Sequence, residues 1–295
     1  SHLLDAYGTQ VIHQAWKPVT VFLNGQYWGH MNLRERVDRF FIAQFEGLSL
    51  DQADEMDILE ANGSVNFGSN KAYRAMLKKI KAGSPATNPD DLQYILDNVD
   101  VDNLFEYMAL EMFVGNSDIG NIRYYRLHQE GSKWKWIWYD ADYGLYSSKF
   151  NSPWSYLKAK GMGEQKIDNT IFLKLLEHPD YKRKFLEKLA DVYKTFTTEY
   201  MTQVLDGVVA EIQPEMKNHW ERWGELNDKA VTSEVPTTID GAYTYWESRV
   251  NRLYNTLKVR PHRLWDFIKD EFKLTKTEME ELFGPQPDYP DDAVL

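Results

Sequence analysis

The sequence contains no cysteine. That excludes disulfides, thiolate metal sites and a cysteine nucleophile, and it fits any redox compartment. No apolar run reaches about 18 residues, so nothing reads as a membrane span. The first residues carry no signal-peptide pattern. Positive charge is in the minority: 34 Lys and Arg against 45 Asp and Glu leave a net charge of −11. That balance argues against nucleic acid as a partner and for solubility. The seven histidines are scattered, without the paired spacing of a zinc site. No serine stands in a nucleophile elbow, and no repeat recurs at a fixed period.

What is there is a chain of 295 residues, 43% hydrophobic, long enough for one large domain or two lobes. Residues 1–15 read as a short helix ended by Pro18. "VTVFLNGQYWGHMNL" reads as a β-hairpin turned at Asn24-Gly25, because both turn positions tolerate positive φ. "RERVDRFFIAQF" has helical spacing at Val37, Phe40, Phe41 and Phe45. "MDILEANGSVNFGSN" reads as one short strand and a loop, and helices are predicted near 70–82, 89–98 and 102–114. A loop, a strand, a turn at Glu130-Gly131-Ser132 and a second strand follow. Residues 145–168 read as irregular, and the rest as nearly all helix. Three apolar stripes there run through Phe185–Tyr193, Met201–Ile212 and Trp246–Leu257, and stripes of this kind are read as core. Residues 284–295 are rich in proline and acid and read as a linker or tail, with a further domain possible after residue 295.

The stretch "WKWIWYDADYG", residues 134–144, carries the chemistry. Strand alternation places Trp134, Trp136, Trp138, Asp140 and Asp142 on one face. Upstream, Asp118 and Asn121 stand in a loop directly after a helix. A loop Asp and Asn, a hairpin, then an Asp before a turn is the order used in phosphoryl transfer. One carboxylate takes the proton of the attacking hydroxyl, and the Asn and second Asp hold Mg²⁺ through hard oxygen ligands. The same residues also suit plain turns and caps. Asp118, Asp140 and Asp142 are expected to converge on one cleft. In "HMNLRERVDRF", Glu35 and Asp38 stand where a strand enters a helix, either beside a lobe crossing or as a solvated helix start. "WKWIWY" and "NHWERW" suit either a glycan-binding face or buried packing.

Three motifs in order resemble the spore-coat CotH kinase family: "VFLNGQYWGHMNLRERVD", "GNSDIGNIRYYRL" and "WKWIWYDADYGL". The helical part is similar as well, including Arg260-Pro261, and the resemblance covers roughly residues 3–274. It implies an α+β, atypical protein-kinase-like fold: an N-lobe remnant at 1–36, a mostly helical C-lobe at 37–283 and the tail at 284–295. It implies ATP, Mg²⁺ or Mn²⁺, and transfer of phosphate to Ser or Thr of secreted, cell-surface or spore-coat proteins. By position, Asp118 would be the catalytic base. Asn121, Asp140 and Asp142 would hold the metal, and Glu35 and Asp38 would lie near the nucleotide. Two departures stand out. Asp118 and Asn121 are closer together than in ordinary kinases, and no strand-borne lysine is expected ahead of the hairpin, since Lys17 reads as part of a turn. The start of the N-lobe is therefore expected to be absent, and this chain to have little kinase activity. The alternative is a non-catalytic surface or coat-assembly module that binds glycan or protein through aromatic faces.

Overall fold

The computed structural model describes residues 2–163, 165–223 and 238–291. A short helix α1 (His2–Tyr7) leads into a two-stranded ribbon, β1 (Trp16–Leu23) and β2 (Gln26–Arg34). Asn24 and Gly25 turn it with φ of +51° and +77°, the predicted hairpin. Two expectations fail here. The N-terminal helix stops at Tyr7, and Pro18 lies inside β1, paired with Asn32. A two-stranded ribbon is all edge, and proline is tolerated where its missing N–H faces away from the partner. Lys17 is thus on a strand after all, although its side chain is exposed.

Helix α2 (Arg39–Phe45) starts at Asp38, whose carboxylate accepts from the N–H groups of Phe40 and Phe41. Val37, Phe41 and Ile42 are buried, while Phe40 and Phe45 stay exposed. Then comes a four-stranded antiparallel sheet in the order β4-β3-β5-β6, built from β3 (Met56–Glu60), β4 (Ser64–Phe67), β5 (Arg123–Leu127) and β6 (Lys135–Ile137). The sequence reading gave β4 to a loop. Gly63 at φ +91° turns a tight hairpin there instead.

Between β4 and β5 run α3 (Lys71–Ala82), α4 (Pro89–Asn98) and α5 (Val101–Val114), close to the predicted spans. Asn88 and Asp100 cap α4 and α5 through their side chains. Every residue of α5 except Asp102 is buried, so it is the central post of the main core. Asn103 on α5 fixes β6, exchanging hydrogen bonds with the backbone N–H (2.6 Å) and carbonyl (3.3 Å) of Trp136.

Residues 145–168 are not irregular throughout: α6 (Ser152–Lys158) forms there, capped by Asn151 with Pro153 in its first turn. α7 (Thr170–Leu176), α8 (Pro179–Thr195), α9 (Thr198–Trp223), α10 (Ile239–Phe272) and α11 (Lys276–Phe283) complete the chain. Pro261 inside α10 lacks the N–H that Leu257 would receive, and the Leu257 carbonyl instead takes the Thr198 hydroxyl at 3.3 Å. The described part of the tail is docked: the Gly284 and Pro287 carbonyls accept from Trp265 Nε1 and His262 Nδ1 on α10. Residues 292–295 lie outside the described residues. No described helix is long and apolar enough to cross a membrane. The architecture is α+β.

Candidate active site

Helix α5 ends at Gly115, which takes the left-handed conformation at φ +65° and turns the chain into the loop of Asn116–Ile122. Arg260 locks this end from behind. It is fully buried, and its guanidinium donates to the carbonyls of Phe113 (2.9 Å), Met112 (2.8 Å) and Phe150 (2.6 Å) and to Ser152 Oγ (2.6 Å). Burial lowers its pKa to about 9, so it is a buried cation at neutral pH. In front, the buried Asn116 side chain accepts the Asp118 backbone N–H at 3.1 Å, an Asx turn that sets the direction of Asp118. The Asp118 carboxylate accepts from Gln165 Nε2 at 2.6 Å.

The β5–β6 ladder brings the next residues together. Arg123 faces Ile137, so the chain just before β5 runs beside the chain just after β6. Asn121 Nδ2 there donates to Asp140 Oδ2. The predicted alternation does not reach this far. The ladder stops at Ile137, Trp138 makes only an isolated bridge to His13, and Asp140 sits at φ +51°. Aspartate tolerates that conformation better than most residues. Asp140 and Asp142 therefore share a site through a turn, closed by the Gly144 N–H on the Ala141 carbonyl at 3.0 Å.

Both aspartates line a cleft of about 430 Å³. Its walls are α1, the open end of the ribbon at Trp16 and Arg34, and apolar residues of α9 and α10. Met201, Val204, Leu205 and Val208 form one wall, so the second helical stripe, read as core, is largely the lining of the cleft. Asp118 is not in this cleft. It lines an adjoining shallow depression with Gly120, Asn121, Gln165 and Lys166. The expected convergence of three carboxylates on one cleft is thus corrected to two neighbouring recesses linked by Asn121.

Asn121 donates to Asp140 through Nδ2, and its carbonyl oxygen has no hydrogen bond among the described residues. That oxygen and the carboxylates of Asp140 and Asp142 are all hard oxygen donors, the type a divalent cation requires. Among the described residues no three His, Cys, Asp or Glu side chains form a metal cage. An ion held by one amide and two carboxylates would fill its shell with water or phosphate oxygens, which is how Mg²⁺ is commonly bound.

Glu35 closes the base of the ribbon. Its Oε2 accepts the Ala15 N–H at 2.8 Å, and its own N–H reaches the Ala15 carbonyl at 3.3 Å. Asp38 is engaged as the α2 cap. The aromatic faces are largely used internally: Trp134 and Trp136 are buried, and Trp223 donates to the Trp28 carbonyl at 2.7 Å. Sequence reasoning missed Glu111. It is buried on α5, accepts the Tyr156 hydroxyl at 2.8 Å, and has its pKa raised to about 7, first by burial and also by the charge of Asp118. A glutamate between Leu110 and Met112 in the apolar second half of the helix, five residues before Asn116, was the available signal.

The family model for CotH kinase protein matches residues 2–264. The chain belongs to the CotH kinase family. No curated protein matches it. The family supplies the expectation of kinase-like chemistry that the loop–hairpin–turn arrangement raised on its own.

Proposed function

We propose that this CotH-family chain is an ATP- and divalent-metal-dependent protein kinase domain acting on Ser or Thr hydroxyls of secreted or coat proteins. The observation that carries the reading is the contact of Asn121 with Asp140 beside the cleft, with Asp118 in the same loop as Asn121. In this reading Asp118 accepts the proton of the substrate hydroxyl as its oxygen attacks the γ-phosphorus and the bond to the bridging oxygen breaks. Gln165 must yield that carboxylate to the incoming hydroxyl. Asn121, Asp140 and Asp142 would hold the metal, which would supply positive charge against the phosphates. Glu35 acts indirectly, by fixing the end of β2 at the mouth of the cleft, and Asp38 by starting α2.

The test is nucleotide binding by calorimetry with Mg²⁺ or Mn²⁺, followed by transfer of labelled phosphate to a Ser/Thr-rich coat protein. Asp140→Asn should abolish metal-dependent binding. Asp118→Asn should leave binding intact and remove transfer. Metal-independent binding, or transfer that survives both changes, refutes the assignment. Failure of the unaltered chain to bind nucleotide with either metal favours the non-catalytic module.

A further inference from the structure

The cleft raises an electrostatic problem. A nucleoside triphosphate brings several negative charges to a recess that already holds Asp140 and Asp142. One divalent ion balances only part of that charge, and like charges at short range repel strongly in a partly desolvated site. A protein cation is needed, and the strand lysine does not supply it. Lys17 neighbours Trp16 on β1, so alternation points it away from the ribbon face that Trp16 presents to the cleft, and it is not among the cleft residues.

Arg34 has the right placement. It is the last residue of β2 and lies directly opposite Trp16 in the ladder, and both line the cleft with Asp140 and Asp142. Its neighbours are spoken for: Arg36 faces Asp38 at 3.9 Å and Arg39 faces Asp54 at 2.6 Å. Arg34 makes no ion pair among the described residues and is exposed. Its backbone is nevertheless fixed, because the next residue, Glu35, is tied to Ala15 on both its N–H and its carboxylate. The other basic side chain of the cleft, His2, is turned to Asp5 at 3.7 Å and packs edge-on against Trp16. A guanidinium is charged at every physiological pH, and its planar fork matches two phosphate oxygens at once.

We infer that Arg34 is the phosphate-binding cation of this chain, holding the polyphosphate of a nucleotide from the ribbon side while Asp140 and Asp142 hold its metal from the opposite side. The inference rests on the kinase reading and deepens it. Calorimetry on the full chain separates the two. The ligands are MgATP, magnesium tripolyphosphate and adenosine, and the variants are Arg34→Met and Arg34→Lys. Loss of one charge-assisted contact should weaken MgATP and tripolyphosphate about tenfold to a hundredfold in Arg34→Met. Adenosine should bind as before, which also reports that the variant is folded, and Arg34→Lys should recover part of the loss. If the unaltered chain binds MgATP and Arg34→Met binds it equally well, the inference is overturned while the kinase reading stands. If the unaltered chain binds tripolyphosphate but gains nothing from the nucleoside, the site takes free polyphosphate and the nucleotide assignment falls. If it binds neither, the kinase reading itself fails and Arg34 has no such role.

Discussion

Arg260→Met tests whether the loop bearing Asp118 is held from behind. The guanidinium makes four hydrogen bonds of 2.6–2.9 Å, all inside the core and none to a carboxylate. Bonds from a charged donor are each worth about 1.5–3 kcal/mol, a gross loss of roughly 6–12 kcal/mol. Methionine removes the cost of burying a cation, which is several kcal/mol and offsets most of that. The acceptors fare unequally. Met112 keeps the Ser152 hydroxyl and Phe150 keeps the Ser152 N–H, but the Phe113 carbonyl keeps no other described partner. An orphaned buried carbonyl costs about 1–3 kcal/mol. With imperfect filling of the space by methionine, a net loss of about 2–4 kcal/mol is expected in urea unfolding. Lysine should recover less than half, because one ammonium cannot serve carbonyls on two sides of a plane. Hydrogen exchange should quicken in Asn116–Ile122 before it does in α8. A loss below about 0.5 kcal/mol, or unchanged exchange in the loop, would refute the idea that Arg260 holds the end of α5.

Three further outcomes follow from the same geometry. Glu111 is protonated more readily folded than unfolded, with its pKa raised from the usual 4.5 to about 7. Its contribution is therefore present below about pH 4.5 and is lost as pH rises through about 7. The size is about 3 kcal/mol at most, so unfolding free energy measured across that window should flatten in Glu111→Gln, and an unaltered slope would exclude it. Gly29→Ala would place a Cβ 2.9 Å from His219 Nδ1 and Trp223 Nε1 at φ +112°, so the ribbon should part from α9 and become a protease site. Resistance equal to that of the unaltered chain would count against the contact. Asp140→Asn tolerates the φ of +51°, whereas Asp140→Ala adds backbone strain of about 1 kcal/mol. Both should lose divalent-ion binding, but only the alanine variant should also lose thermal stability.

The parts of the fold that were legible had strong local signals. Asn24-Gly25 fixed the hairpin, the helix predicted near 89–98 is α4, and the stripe of Phe185, Leu186, Leu189, Val192 and Tyr193 is buried as read. The misreadings came where a local signal had two meanings. Pro18 reads as a terminator, yet an edge strand tolerates it. Asn62-Gly63 looked like loop composition, yet a glycine at positive φ is also how two short strands are joined. Asn151 and Pro153 are a helix start that the surrounding polar residues obscured. The stripe on α9 follows helical period whether it faces a core or a cleft, because periodicity reports an apolar neighbour and not whether space remains beside it.

The acidic turn shows the same limit at the site itself. Period-2 spacing placed Asp140 and Asp142 on one face, but that spacing ends with the ladder at Ile137. What joins the site is the antiparallel register of β5 and β6, a non-local fact that no window of the sequence contains. It sets Asn121 against Asp140, and the left-handed residue at 140 then directs the chain to the cleft. The residue types were readable because a loop Asp and Asn and an acidic turn are local patterns, and they match what phosphoryl transfer asks of a site. The division into two recesses was not, because it depends on Asn116 and Gln165 holding Asp118 to one side of Asn121. On the function proposed above, a substrate hydroxyl at Asp118 and a nucleotide held by Arg34 would approach Asn121 from different recesses.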